Sequence, residues 1–238
     1  MKRTHLLLFA CTLSCLFFSC KEDDDKDTYT CVDVSGKNYK TVVIGDQVWM
    51  AENLATKRFN DSSDIYNSND VRYWANRDVP QYAYFNNNSS YFNYGLIYNY
   101  RSVAMEELIP KGWRLPTRQD WEKLVNYVKL HPSYDSINWV GKSLASSTEW
   151  RASNIVGAIG YQSSTNNKFG FNAIPAGYRT EYGAYYAELE KTMFWTNTVD
   201  SVTSNLLVVS FSYKATGIQF ETLDKELCGC YIRCVKDR

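Results

Sequence analysis

Histidine is almost missing from this chain: among 238 residues only His5 and His131 carry an imidazole. Any Ser-His or Cys-His arrangement in the body of the protein would rest on His131, which stands directly before Pro132, the position of a helix-end or surface residue. Glycine-rich phosphate loops, zinc-helix motifs and P-loops are absent too. Charge of one sign is lacking, with 26 Lys and Arg against 26 Asp and Glu. That balance gives no electrostatic reason to expect nucleic acid as a partner. The apolar run from Leu6 to Phe18 holds 13 residues, against the roughly 20 that a spanning helix needs. After the first 30 residues there is no Pro/Gly/Ser-rich linker and no internal repeat, so residues 31–238 read as a single domain with one core.

What the chain does have begins at its start. Lys2 and Arg3 precede the short apolar run, which ends at Ser19-Cys20. This pattern predicts a signal peptide over residues 1–19. Its end resembles a bacterial lipobox, in which the cysteine, here Cys20, becomes the lipidated first residue. The bulky Phe18 departs from the strict form, and Cys15, preceded by Leu13-Ser14, is the alternative. Residues 20–30 include Lys21-Glu22-Asp23-Asp24-Asp25-Lys26-Asp27, a charge run that buries no apolar surface and predicts a solvated tether. It is similar to the export tag of some surface lipoproteins. The expected location is the outer membrane, anchored in its lipid through Cys20 and facing the cell exterior.

Four cysteines remain beyond the anchor: Cys31, Cys228, Cys230 and Cys234. An even number in an exported chain predicts disulfides, with connectivity open. A bond from Cys31 to the tail would close nearly the whole domain and stabilise it by roughly 3–5 kcal/mol. Cys228-Gly229-Cys230 lacks the spacing and second pair of a zinc site, so no metal is expected there.

Along the domain, Thr41–Ile44 and Gln47–Trp49 predict a hairpin turning at Gly45-Asp46. Residues 60–70 and 86–90 read as loops. "YFNYGLIYNYRSV" reads as strand-like, Ser102–Leu108 as holding a short helix, and residues 146–168 as irregular. Residues 205–213, 217–221 and 230–236 are strand candidates by their β-branched and aromatic content. With no βαβ rhythm, the expected class is α+β with a mainly antiparallel sheet, a few short helices and long loops.

One stretch is dense in tryptophan and charge: "KGWRLPTRQDWEKL", residues 111–124. Thr117 fits a helix N-cap, with Asp120 at the third helical position able to reach back to it. Pro116 fixes the boundary. Trp121, Leu124, Val125 and Val128 fall on one face, and His131-Pro132 stops the helix. Trp113, Pro116, Thr117, Asp120 and Trp121 are therefore read as structural. The carboxylate pairs Glu106-Glu107 and Glu188/Glu190 read as solvated faces rather than as an acid and base acting on a glycan.

The composition is also rich in rings: 19 Tyr and 7 Trp. Tyrosine combines an apolar face with a hydroxyl and loses little entropy on ordering, which suits binding surfaces. Two clusters, residues 73–85 and 178–186, supply the candidate ligand-binding residues Tyr73, Trp74, Tyr82, Tyr84, Tyr178, Tyr182, Tyr185 and Tyr186.

In order, "TVVIGDQVWMAENL", "YGLIYNY", "PKGWRLPTRQDWEKL", "GKSLASSTEW", "FGFNAIPAGYR", "FWTNT" and "YIRCVKD" resemble the Fibrobacter succinogenes major paralogous domain over residues 33–237. That family is similar in turn to the formylglycine-generating branch of C-type lectin-like folds. The resemblance implies a C-type lectin-like domain on a cell-surface protein. Where the family often has cysteine before its Pro-x-Gly-Trp, this chain has Ile109, which puts the bonding of Cys234 in doubt. The reactive cysteine pair and copper of the distant oxidases find no counterpart, since the cysteines here lie only at the ends. Lectin-like folds often bind calcium, and Asp61, Asp64, Asn67 and Asp70 share one polar stretch, but their spacing is not that of an EF-hand and no Glu-Pro-Asn triplet is present. No cofactor is expected, with calcium the one to test. The expected function is recognition of a glycan or protein ligand, as an adhesin or fimbria-associated subunit. A non-binding scaffold of an outer-membrane complex is the alternative, and an envelope enzyme the third.

Overall fold

The computed structural model describes residues 29–69, 74, 78–131, 139–180, 183–223 and 228–236. The signal peptide, residues 20–28 of the tether including Cys20, and Asp70, Tyr73 and Tyr182 lie outside the described residues.

Among the described residues the strands form three sheets. The largest has nine strands and runs from Gln219–Thr222 through Leu206–Ser212, Lys191–Val199, Ala176–Arg179, Gly229–Cys230, Ile97–Asn99 and Gln81–Ala83 to Tyr66–Asn67; Tyr185–Glu188 also pairs with Ala176–Arg179. The second, of four strands, has the order Thr41–Ile44, Gln47–Met50, Val235–Lys236, Trp113–Arg114. Cys31–Val32 and Asn38–Tyr39 make a small hairpin. Pairing between strands is antiparallel apart from Tyr66–Asn67 with Gln81–Ala83 and Thr192 with Gly177, and isolated parallel bridges join Phe194 to Tyr231 and Ala145 to Ala173. The class is α+β, as the sequence predicts.

The hairpin forms where expected, with Val43 opposite Val48 and Ile44 opposite Gln47. Gly45 has φ +64°, and a Cβ there would also lie 2.7 Å from the Tyr127 ring, so conformation and space both require glycine. The signature helix spans Arg118–Leu130 and carries the full capping box between Thr117 and Asp120. Its buried face is Trp121, Leu124 and Val128, with Val125 half-buried. It packs into an aromatic core: Trp121 lies 4.8 Å from Trp49, 5.5 Å from Phe171 and 5.9 Å, stacked, from Phe194.

Three expectations need correction. "YFNYGLIYNY" is strand only at Ile97–Asn99, because Ser89–Tyr94 winds as a 3-10 helix capped by Asn88. Residues 230–236 are not one strand. Gly229–Cys230 belongs to the large sheet and Val235–Lys236 to the four-stranded one. Between them Tyr231 bonds Met193 and Trp195, while the Ile232 and Cys234 carbonyls accept from Leu54 and Met50, so this short run ties the two sheets together. No disulfide joins Cys31, Cys228, Cys230 or Cys234, and all four are buried. Burial, reinforced by Asp33, pushes the Cys31 thiol up to about 12. Burial also raises Cys230 and Cys234 well above their usual value, which leaves protonated, unreactive thiols.

The segment 146–168 is irregular as expected apart from the 3-10 turn Ser163–Thr165, yet it is firmly held. Lys142 is buried and donates to Tyr161 O, to Gln162 O at 3.0 Å and to Asn166 Oδ1 at 2.8 Å. Asn166 in turn donates to Ser146 O and Ile159 O.

Candidate functional site

The ligand residues expected from composition divide sharply. Trp74, Tyr82 and Tyr84 are core: 1%, 6% and 8% exposed. Trp74 packs on Gly229, where a Cβ would come within 2.3 Å of its ring. Tyr82 and Tyr84 meet edge to face at 6.0 Å. The Gln81–Ala83 strand is buried on both faces, with Tyr82 and Ala83 in two different core clusters, and sequence alone could not say that neither face meets solvent. Tyr178 and Tyr185 are half-buried, while Tyr186 is 61% exposed. The rings of Tyr178 and Tyr186 lie 6.5 Å apart.

The two clusters do meet, but inside the protein. The guanidinium of Arg179, fully buried, lies 4.2 Å from the Trp74 ring centre and 5.0 Å from that of Tyr185. It donates to Gly183 O and Ser68 O. This stack fixes Tyr185 from beneath.

At the surface, Tyr185 joins residues that sequence reasoning did not select. The 3-10 helix Ser89–Tyr94 brings Tyr91 and Tyr94 together, ring centres 5.1 Å apart, and both flank buried Phe85, which also touches Tyr185 at 5.4 Å. The Glu188 carboxylate lies beside the phenols of both Tyr91 and Tyr94. Tyr185 donates to Asn87 Oδ1. The neighbouring Glu188 carboxylate raises the Tyr91 pKa, and burial, with Glu149 and Glu188 nearby, pushes Tyr94 up to about 12. All three phenols are therefore neutral at pH 7, each able to accept as well as donate.

The backbone around this face is strained. Asn86, Asn87, Glu149, Ala187 and Leu189 have φ values of 52°, 54°, 71°, 60° and 62°. For alanine and leucine the left-handed region costs on the order of 1–2 kcal/mol each, and these two flank Glu188. The run Asn86-Asn87-Asn88 was the readable signal, since asparagine tolerates that conformation. The result is a face of half-buried rings, amides and two carboxylates held before any ligand arrives.

The signature residues are held by contacts within the fold. Trp113 is buried and donates to Thr30 O. The carbonyl of Pro116 accepts from the Asn197 amide. Asp120 receives a two-pronged bond from Arg114 at 2.6 and 2.8 Å, plus both the amide and the hydroxyl of Thr117. Burial alone would raise its pKa, but the bonds from Arg114 and Thr117 outweigh it and hold the carboxyl below its usual value. The stabilisation this gives is complete above the unfolded value near 3.8 and is lost as pH falls through the lower folded value. Asp120→Asn should therefore lower stability at neutral pH and flatten its acid dependence below about pH 4. Denaturant melts of both proteins from pH 2 to 7 check this, and parallel curves would refute it.

Other expected positions are spent or apart. Glu190 pairs with Arg151, while Glu106 and Glu107 sit exposed in a 3-10 turn. His131 caps the helix end against Tyr127 and Phe169. Asp61 accepts from Ser63, Asp64 pairs with Arg58 at 2.8 Å, and Asn67 lies in an edge strand. Among the described residues no three His, Cys, Asp or Glu gather to hold a metal. A cavity of about 550 Å³ lies under the signature, between Asn60, Met105, Lys111, Trp113 and Leu115.

The Fibrobacter succinogenes major domain family model matches residues 42–236. No curated protein and no solved structure matches the chain.

Proposed function

Since this chain belongs to the Fibrobacter succinogenes major domain family, we propose that it is a C-type lectin-like binding module whose tyrosine face recognises a glycan, held at the outer surface of the outer membrane by a lipid on Cys20. The observation that carries the reading is the pre-set face of Tyr91, Tyr94, Tyr185 and Glu188, with exposed Tyr186 beside it. Ring faces pack against the C–H side of a sugar, and fixed carboxylates, phenols and amides match its hydroxyls. Holding these groups through strained backbone lowers the ordering cost that a flexible surface meets on binding. The anchor rests on the short apolar run ending at Ser19-Cys20 and on the charge run after it.

A glycan array probed with the full-length chain tests the face. Tyr91→Ala and Tyr186→Ala should each weaken the strongest hit about tenfold or more, with little change in thermal midpoint for the exposed Tyr186. Equal binding by wild type and both variants would remove the face from the reading. An intact-mass spectrum of the native product tests the anchor, and an unmodified amino end would end that part. Protease shaving of whole cells decides the side, since a protected protein faces the periplasm.

A further inference from the structure

The guanidinium of Arg233 is 1% exposed. It donates four bonds to neutral oxygens: Asn53 Oδ1 at 2.6 Å, Met50 O at 3.2 Å, Phe171 O at 2.6 Å and Asn172 O at 2.8 Å. Among the described residues no carboxylate stands in salt-bridge contact with it. Glu52 acts on the charge only from a distance, and Glu52 is already shared by Lys37 at 3.5 Å and Lys40 at 3.7 Å. Buried charges are ordinarily paired, so this corner of the protein carries three cations for one acid.

That surplus opens onto a cavity of about 280 Å³, lined by Arg233 together with Lys37, Lys40, Glu52, Phe92 and Asn93. A small recess with excess positive charge concentrates anions. Its other walls go beyond what a bare ion needs. Phe92 is a half-buried ring with Lys57 and Lys37 at 5.3 and 6.0 Å from its centre, while Asn93 is exposed and offers an amide. Phe92 and Asn93 belong to the same 3-10 helix, Ser89–Tyr94, that presents Tyr91 and Tyr94 to the tyrosine face.

We propose that this cavity binds a carboxylate-bearing sugar residue of the uronic acid class, its carboxylate between Lys37, Lys40 and the edge of Arg233 and its ring against Phe92. The cation surplus at Arg233, Lys37 and Lys40 is independent of the tyrosine face, so either site can bind without the other.

Isothermal titration of the full-length chain with D-glucuronate and D-galacturonate tests the site, with methyl glucoside as the neutral probe and inorganic phosphate as the bare anion. At least one uronate should bind about tenfold more tightly than the glucoside and than phosphate. Its affinity should fall as ionic strength rises. Lys37→Gln combined with Lys40→Gln should weaken it about tenfold, whereas Glu52→Gln, which removes the competing carboxylate, should strengthen it. Tyr186→Ala should leave it unchanged, which separates this site from the tyrosine face. A uronate that binds no better than the glucoside, phosphate that binds as well as the uronate, or weaker binding in Glu52→Gln would overturn the proposal. If the double lysine variant does not fold, the Glu52→Gln sign and the salt dependence decide alone.

Discussion

Arg233→Met should lower the thermal midpoint by roughly 10 °C or more, among the largest effects of any single substitution in this chain. The side chain joins the Asn53 amide, the Met50 carbonyl and the Phe171-Asn172 turn through four bonds, in the short run that ties the two larger sheets. Removing it leaves four acceptors without this donor, three of them buried, at about 1–3 kcal/mol for each that water cannot reach. Burial pulls the Arg233 pKa down to about 9, which still leaves it protonated at pH 7. Arg233→Lys keeps the charge but has one nitrogen where the collar presents oxygens in several directions, so it should recover little. Differential scanning calorimetry of the three proteins checks this. A lysine variant as stable as wild type would show that charge, rather than the donor fork, is what the collar needs.

Arg233 also shows where the sequence stops being readable. The cap at Thr117 and the turn at Gly45 were legible because their partners lie within three or four residues, where spacing dictates contact. The buried cations Lys142 and Arg233 were not, because their acceptors are carbonyls 19 to 183 residues away. A run such as "CYIRCVK" announces extended backbone but not which sheet each amide will join. The same holds for the candidate site. Tyrosine abundance pointed to a ring-lined surface, and Tyr185 and Tyr186 lie on one. Their partners Tyr91 and Tyr94 come from a 3-10 helix far along the chain, joined only by tertiary packing through Phe85 and Glu188. Trp74, Tyr82 and Tyr84 went to the core because burying a large ring stabilises the fold more than exposing it.

Trp121→Ala should cost about 3–5 kcal/mol, the range for deleting a fully buried ring. Its indole contacts Trp49, Phe171, Phe194 and Phe211, with centres 4.8 to 6.3 Å away, so collapse around the hole would have to move four rings at once. Trp121→Phe should cost much less, because the indole nitrogen has no hydrogen-bond partner among the described residues and a phenyl ring retains most of the packing. The contrast separates packing from polar roles, and denaturant midpoints measure it. Phe171 and Phe194 also lie against the Arg233 guanidinium, at 5.0 and 5.6 Å. Loosening the ring cluster should therefore loosen the collar. In a double-mutant cycle, Trp121→Ala and Arg233→Met should together cost less than the two alone, by about 0.5–3 kcal/mol. Strict additivity would mean that the helix core and the strand crossing are independent units, and that the signature helix does not support the cavity beside Arg233.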